Sequence, residues 1–323
     1  MEWIKIYILH RKMRIFAITI TLAILLNVAF AINMGAPVLN DKFIQNHNSK
    51  NAPWVAKRNA RFEGHTIGQV MAMMGTKKVI NNNAAPSIKI VDASIPSTFD
   101  AREQWPGCVH AVLNQEQCGS CWAFSSSEAL SDRLCIASKG QVNVTLSPQA
   151  LVACDDIGNQ GCNGGVPQLA WEYMEWKGLP TFECYPYTAG NGTDGTCQRQ
   201  CADGSAMTYY RAKPFSMTTC NSVACIQNEI ITYGPVVGTM MVYQDFMSYS
   251  SGVYVYDGTA ELLGGHAIEI VGWGTDATSK LDYWIVKNSW SAAWGGLDGY
   301  FWIQRGTNMC GIDHDASASQ AKL

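Results

Sequence analysis

The chain of 323 residues contains no low-complexity tract and no internal repeat, which argues against a fibrous or solenoid protein. Charge is scarce at 15%, while 47% of residues are hydrophobic, so the chain does not belong to the disordered class and can bury a sizeable core. There is no excess of base: Lys and Arg number 23 against 26 Asp and Glu. The acidic excess falls in the later, larger part, so no nucleic-acid partner is expected. Cys118-x-x-Cys121 has no matching second pair at ligand spacing, so neither a metal site nor a cofactor is expected.

What is present in quantity is cysteine. Twelve are too many for an ordinary cytosolic enzyme and point to an oxidising compartment. Lys5, Arg11, Lys12 and Arg14 precede an apolar run over 15–30 that ends in Ala29-Phe30-Ala31. Residues 1–31 therefore read as a signal peptide cleaved after Ala31. The run is short for a span, so no membrane association is expected after cleavage. Residues 32–94 hold eight Lys/Arg and three Asp/Glu, a net of +5. Residues 95–323 hold eleven and twenty-two, a net of −11. A basic segment can attract an acidic neighbour, less so in acid as carboxylates protonate.

One stretch, 115–124, places Cys121 where a Gly-Ser turn enters an apolar, helix-forming run. A helix N-terminus carries partial positive charge and unpaired N–H groups, which favour the thiolate, the nucleophilic form. Gln115 offers an amide that could stabilise an oxyanion near the sulfur. The spacing predicts a helix over 121–139 ended by Gly140, and a second opened by Ser147 and Pro148. A third is expected over 166–177. Strands are expected over 251–256, 267–271, 283–287 and 300–303. A helical first half before a strand-rich second half argues α+β with two lobes.

Gln115 and Cys118-Gly119-Ser120-Cys121-Trp122-Ala123-Phe124 resemble the active-site segment of papain-like cysteine proteases. Gly264-Gly265-His266-Ala267-Ile268 and Lys287-Asn288-Ser289-Trp290 resemble the family's general-base and Asn segments. Residues 52–62 resemble the start of the short propeptide of cathepsin B-like members, and Gly75-Thr76 its Gly-Thr. Residues 95–106 resemble the start of their mature chain. The resemblance implies a papain-like fold with a helical lobe over about 95–226 and a β-barrel-like lobe over about 227–323. The active-site cleft would lie between them. Residues 32–94 would be an inhibitory propeptide, with a polar linker at 81–87 as the cutting region and a mature start within 91–95.

The resemblance assigns Cys121 as nucleophile, His266 as base, Asn288 as orienter of the imidazole and Gln115 as oxyanion donor. Gly164, Gly165, Pro167, Gly265, Ala267 and Asp315 would contact substrate. Trp290 would shield the Asn–His hydrogen bond and Trp294 would line the leaving-group side. By resemblance Cys108 pairs with Cys135, Cys118 with Cys162, Cys154 with Cys197 and Cys184 with Cys201. Cys220 and Cys225 are close enough to pair, which would leave Cys310 reduced.

The stretch 188–196 departs from cathepsin B: it is short, has no His and lacks two extra cysteines, so C-terminal dipeptide release is not expected. The implied function is a cysteine endopeptidase made as a zymogen. Its expected partners are peptide and protein substrates, its own propeptide and cystatin-type inhibitors. It is expected to be a monomer of the secretory pathway, in a lysosome or acidic vacuole or outside the cell. The rival is a non-catalytic secreted binding protein on the same fold, disfavoured because Cys121, His266, Asn288 and Gln115 are all present.

Overall fold

The structure, a computed structural model, describes residues 32–77 and 95–323. The expected signal peptide, the 81–87 linker and all but the last residue of the 91–95 window lie outside the described residues. Helix α1 (Asp41–Asn48) starts at Asn40, whose side chain accepts from the Phe43 N–H. After strand β1 (Trp54–Ala56) comes α2 (Ile67–Met73), opened by a reciprocal Thr66/Gln69 capping box. Its buried residues Ile67, Val70 and Met73 recur every third position and form one face.

Strand β2 (Phe99–Asp100) and the short α3 (Ala101–Gln104) lead to α4 (Cys121–Ala137), which is buried continuously from Cys121 to Cys135. Three of its four serine hydroxyls bond back to the helix: Ser125 Oγ donates to the Cys121 carbonyl, Ser127 Oγ to that of Phe124 and Ser131 Oγ to that of Ser127. The helix stops two residues before the expected end. Lys139 and Gly140 take left-handed conformations, and the Gly140 N–H closes on the Cys135 carbonyl at 2.8 Å. Helix α5 (Pro148–Cys154) has Ser147 as its cap, as expected, and α6 (Pro167–Trp176) also begins with proline. The disulfides join Cys108 to Cys135, Cys118 to Cys162, Cys154 to Cys197, Cys184 to Cys201 and Cys220 to Cys225. Cys121 and Cys310 are free.

Strands β3 (Arg211–Ala212) and β4 (Thr218–Cys220) precede α7 (Val223–Tyr233), a helix not anticipated from the sequence. The lobe boundary expected near 226 falls inside it. Then follow β5 (Val236–Tyr243), β6 (Tyr249–Tyr254), β7 (Leu262–Thr275), β8 (Asp282–Lys287), β9 (Tyr300–Gln304), β10 (Ala316–Ala318) and β11 (Ala321–Lys322). The sheet runs β1-β6-β9-β8-β7-β5-β10-β4, with β2 added on β7, while β11 pairs separately with β3. This corrects the barrel expectation: the described strands form an open path whose end strands do not meet. β10 and β4 have three residues each, too short to tilt around and close a ring.

The outer edge of β6 is covered by β1 of the pro-segment, antiparallel, with Trp54 opposite Gly252. A Cβ at Gly252 would sit 2.4 Å from the Pro53 carbonyl oxygen, so glycine is required for this approach. Strand addition to an edge is a recurring docking mode.

Between α4 and the sheet lies a buried ionic cluster. Lys287 Nζ is 3.1 Å from Glu269, 3.7 Å from Glu128 and 3.8 Å from Asp132. Burial pushes the Glu128 carboxyl up to about 7 despite Lys287, and Glu269 well above its usual range. The cluster ties the helix carrying Cys121 to the strand that leads into Asn288. Among the described residues, no helix is long and apolar enough to cross a membrane.

Candidate active site

Cys121 is the first residue of α4 and fully buried. Burial by itself would push its thiol up. The charge of His266 and a hydrogen bond with it more than offset this, helped by the Ala267 N–H and the Thr76 hydroxyl. The thiol falls from 9.0 to about 7. Cys310, with no such partner, is pushed up to about 12 by burial.

His266 stands just before the strand expected over 267–271; in the structure it is the fifth residue of β7, which starts at Leu262 and takes in Gly264 and Gly265. Its Nε2 is 2.8 Å from Asn288 Oδ1, and its Nδ1 has no hydrogen-bond partner besides the cysteine. The Trp290 ring stacks on the imidazole at 4.7 Å, over the Asn–His contact. Trp294 packs edge-on behind Trp290 and against Phe246, Tyr249 and Phe301. It is fully buried in this state, whereas the leaving-group side was its expected place.

Gln115 is tied to the opposite lobe twice. Its N–H donates to the Ser289 carbonyl at 2.9 Å, and its Oε1 accepts from Ser289 Oγ at 2.7 Å. Its Nε2 donates to two carbonyls at 2.9 Å each, those of Cys118 and of Met73 in the pro-segment. Ser289 was not singled out from sequence, although its place beside Asn288 was a signal.

The pro-segment fills the space between these groups. Phe62 packs edge-on against Trp290 at 5.2 Å. Thr76 Oγ1 lies 3.3 Å from Cys121 Sγ. The Thr76 N–H donates to the Gly265 carbonyl at 3.1 Å, the Gly165 N–H to the Gly75 carbonyl at 2.8 Å, and the Lys77 N–H to the Gly165 carbonyl at 2.9 Å. Thr76 and Gly165 pair in the parallel sense. A Cβ on Gly75 would lie 1.7 Å from the Gly119 carbonyl oxygen, and one on Gly164 2.5 Å from that of Gly75. Only glycine permits this passage. No ion pair joins the pro-segment to residues 95–323 among the described residues, so the expected charge attraction takes no such form. Arg58 pairs with Asp41 and Glu63 of its own segment, and Arg61 donates to a main-chain carbonyl, that of Glu116.

Pro167, Ala267 and Asp315 are brought to one region. Asp315 accepts from Thr239 Oγ1 at 2.6 Å and from Gln168 Nε2 at 3.4 Å, and Thr239 is paired with Ala267 across β5 and β7. A cavity of about 200 Å³ adjoins it, lined by Thr76, Thr239, Met240, Met241, Gly265 and Cys310 among others. The stretch 188–196 is short and tied down: Gln149 Oε1 accepts from the Thr188 and Ala189 N–H groups, and Asp194 from that of Cys162. Among the described residues no group of three or more His, Cys, Asp or Glu could hold a metal.

Residues 95–320 match the family described as "Papain family cysteine protease", and residues 39–80 match "Peptidase family C1 propeptide". The chain is 39% identical over 287 residues to Cathepsin B-like CP2 of Giardia intestinalis, covering 88% of this chain and 94% of that one. It is 42% identical over 303 residues to Cathepsin B-like cysteine proteinase 4 of Caenorhabditis elegans, covering 83% and 88%. The solved structure of proCathepsin B S9 from Trypanosoma congolense superposes with a TM-score of 0.81 at 30% identity, covering 89% of this chain and all of that one. The buried cysteine paired with a histidine, and the pro-segment laid across it, thus occur in a chain that belongs to the papain family of cysteine proteases, in its cathepsin B-like branch.

Proposed function

We propose that Cys121, His266, Asn288 and Gln115 carry out peptide-bond hydrolysis in this endopeptidase, and that residues 32–94 hold it as a zymogen until removed. The observation that carries the reading is the His266 ring, held by Asn288 Oδ1 at 2.8 Å on one nitrogen and left to Cys121 on the other. The Cys121 thiolate attacks the substrate carbonyl carbon. The oxyanion takes hydrogen bonds from Gln115 Nε2 and the Cys121 N–H. The His266 imidazolium gives its proton to the leaving amine, leaving a thioester. His266 then takes a proton from water, whose oxygen attacks the thioester, and the acid product departs with the thiol regenerated.

Gly165 and Gly265 hold the substrate backbone, as their bonds to Gly75, Thr76 and Lys77 illustrate, with Gly164 and Ala267 beside them. The pro-segment escapes cleavage because the parallel pairing of Thr76 with Gly165 puts a hydroxyl at the sulfur. Internal bonds are the substrate, since the stretch 188–196 is bound back onto Gln149 and Cys162 and carries no His to grip a terminal carboxylate. An acidic compartment of the secretory pathway suits such a zymogen.

The test is acid incubation of purified wild type and Cys121→Ser. The wild type is expected to shorten, to be labelled by a thiol-directed epoxysuccinyl inhibitor and to hydrolyse internal peptide bonds. Cys121→Ser is expected to stay full-length and inactive. Labelling at Cys310, or activity in Cys121→Ser, would overturn the assignment.

A further inference from the structure

The far end of α6 carries a surface that substrate hydrolysis does not use. Pro167 begins this helix beside the cleft, and Trp176 ends it about 14 Å away at 1.5 Å per residue. Trp176 is half exposed and meets the ring of Phe215 edge-on at 5.3 Å. Phe215 is 87% exposed, and its φ is +60°. It follows Pro214 in a turn closed by the Ser216 N–H on the Lys213 carbonyl. Glycine or asparagine normally occupies that left-handed position, because a bulky side chain is strained there. An aromatic side chain held out in water by a strained backbone contributes nothing to the core.

One acid lies beneath the turn: Glu175, buried, accepts from the Phe215 N–H at 3.0 Å and from Ser319 Oγ at 2.8 Å, so its oxygens are already engaged, while the basic side chains above it are not paired. Arg211 and Lys322 are directly opposed across β3 and β11, a like-charge pairing that strand pairs avoid. Lys213 flanks the turn, and its N–H bonds to the Gln320 carbonyl beside β11. Lys177 follows Trp176, and Arg211 lies against Gly178. None of the four has an ion-pair partner among the described residues. They are four of the eleven Lys/Arg in residues 95–323, a region of net −11. Strain and like-charge crowding together, away from the cleft, mark a surface kept for a partner rather than for stability.

We infer that this face, contrary to the expectation of no membrane association after cleavage, binds the surface of an anionic lipid bilayer without spanning it, with Phe215 and Trp176 entering the headgroup region and Lys177, Arg211, Lys213 and Lys322 facing the lipid phosphates and carboxylates. The aromatic tip projects, which suits a deformable partner; a rigid protein or sugar would need a matching hollow. Aromatic side chains with clustered base are the chemistry of an interfacial site on a negatively charged leaflet. Bound this way, the enzyme keeps its cleft, at the other end of α6, open to solution.

The test is co-sedimentation of the full-length Cys121→Ser zymogen with vesicles of phosphatidylcholine alone or with about one-third phosphatidylserine. The zymogen is expected in the pellet only with the anionic vesicles. Phe215→Asn relieves the strain, so it is expected to fold at least as stably, yet to lower the bound fraction about tenfold. Lys213→Glu with Lys322→Glu is expected to abolish binding. Absence of binding by the parent protein, or equal binding by Phe215→Asn, overturns the proposal. Retention on heparin that is indifferent to Phe215→Asn, without vesicle binding, would instead make the patch a site for a soluble polyanion.

Discussion

Gln115 Nε2 donates to the Met73 carbonyl at 2.9 Å while Ser289 Oγ holds Gln115 Oε1 at 2.7 Å. The amide proposed to stabilise the oxyanion is thus aimed by one lobe and already satisfied by the pro-segment. A carbonyl at this donor imitates the charge it serves without offering a carbon to the sulfur.

Two substitutions separate aim from donation. Gln115→Ala in the activated enzyme is expected to lower kcat by about a hundredfold or more with little change in KM, the usual loss for one oxyanion donor. Ser289→Ala keeps the amide but frees it to rotate, so a smaller fall is expected, about tenfold, again in kcat. Steady-state kinetics on a small peptide substrate decide. A loss confined to KM would remove Gln115 from transition-state stabilisation.

The second expectation concerns the thiol. His266 lowers Cys121 from 9.0 to about 7, so the thiolate is the favoured form above about pH 7 in the zymogen. In His266→Ala the burial remains and the stabilising charge is gone, so the transition should move above 9. It can be followed as the ultraviolet absorbance difference from Cys121→Ser. Cys310, at about 12, stays a thiol over this range. An unchanged midpoint in His266→Ala would mean that the two side chains do not share charge.

The residues of the candidate site were legible in the sequence because they sit in short segments: a cysteine at a helix start, a His after two glycines, an Asn before Ser-Trp. The disulfides and the short 188–196 loop were legible too. Contacts that join distant segments were not. Ser289 and Gln115 are 174 positions apart, and no local pattern announces their bond. The pro-segment was recognised and a charge attraction expected, but β1 pairing on β6, Gly75 against Gly119 and Phe62 on Trp290 were not foreseen. Helix α2 left a readable capping box in Thr66 and Gln69. The open sheet followed from strands too short to be weighed by pattern alone.

The buried cluster yields a stability expectation. Lys287→Met leaves Glu128, Asp132 and Glu269 buried without their cation, which should cost about 3–5 kcal/mol. Adding Glu269→Leu should restore part of it. The pH sign follows from Glu128, raised from 4.5 to about 7. Its protonated form is favoured in the fold, so its stabilisation is full below about 4.5 and lost as the pH rises through about 7. Urea unfolding of the Cys121→Ser zymogen between pH 5 and 8 tests both statements. Stability rising with pH over that window would contradict the role of Glu128.

The last expectation concerns the residue two before the cut. Asp315, Thr239, Ala267 and Gln168 are contiguous, beside the cavity that reaches Thr76. A carboxylate oxygen can accept two hydrogen bonds, so the donors from Thr239 and Gln168 leave Asp315 able to receive an arginine as well. An Arg there would gain charge-assisted bonds, and a Phe would gain only apolar contact, with Met240 and Met241 of the cavity lining for example. Asp315→Ala is therefore expected to lower kcat/KM for an Arg-Arg substrate about tenfold more than for a Phe-Arg substrate. Thr239→Val should leave the charge in place and change the ratio much less. The alternative is that Asp315 serves only to bind Thr239 and Gln168. In that case Asp315→Ala and Thr239→Val would lower the unfolding temperature alike, and the ratio of the two kcat/KM values would stay constant.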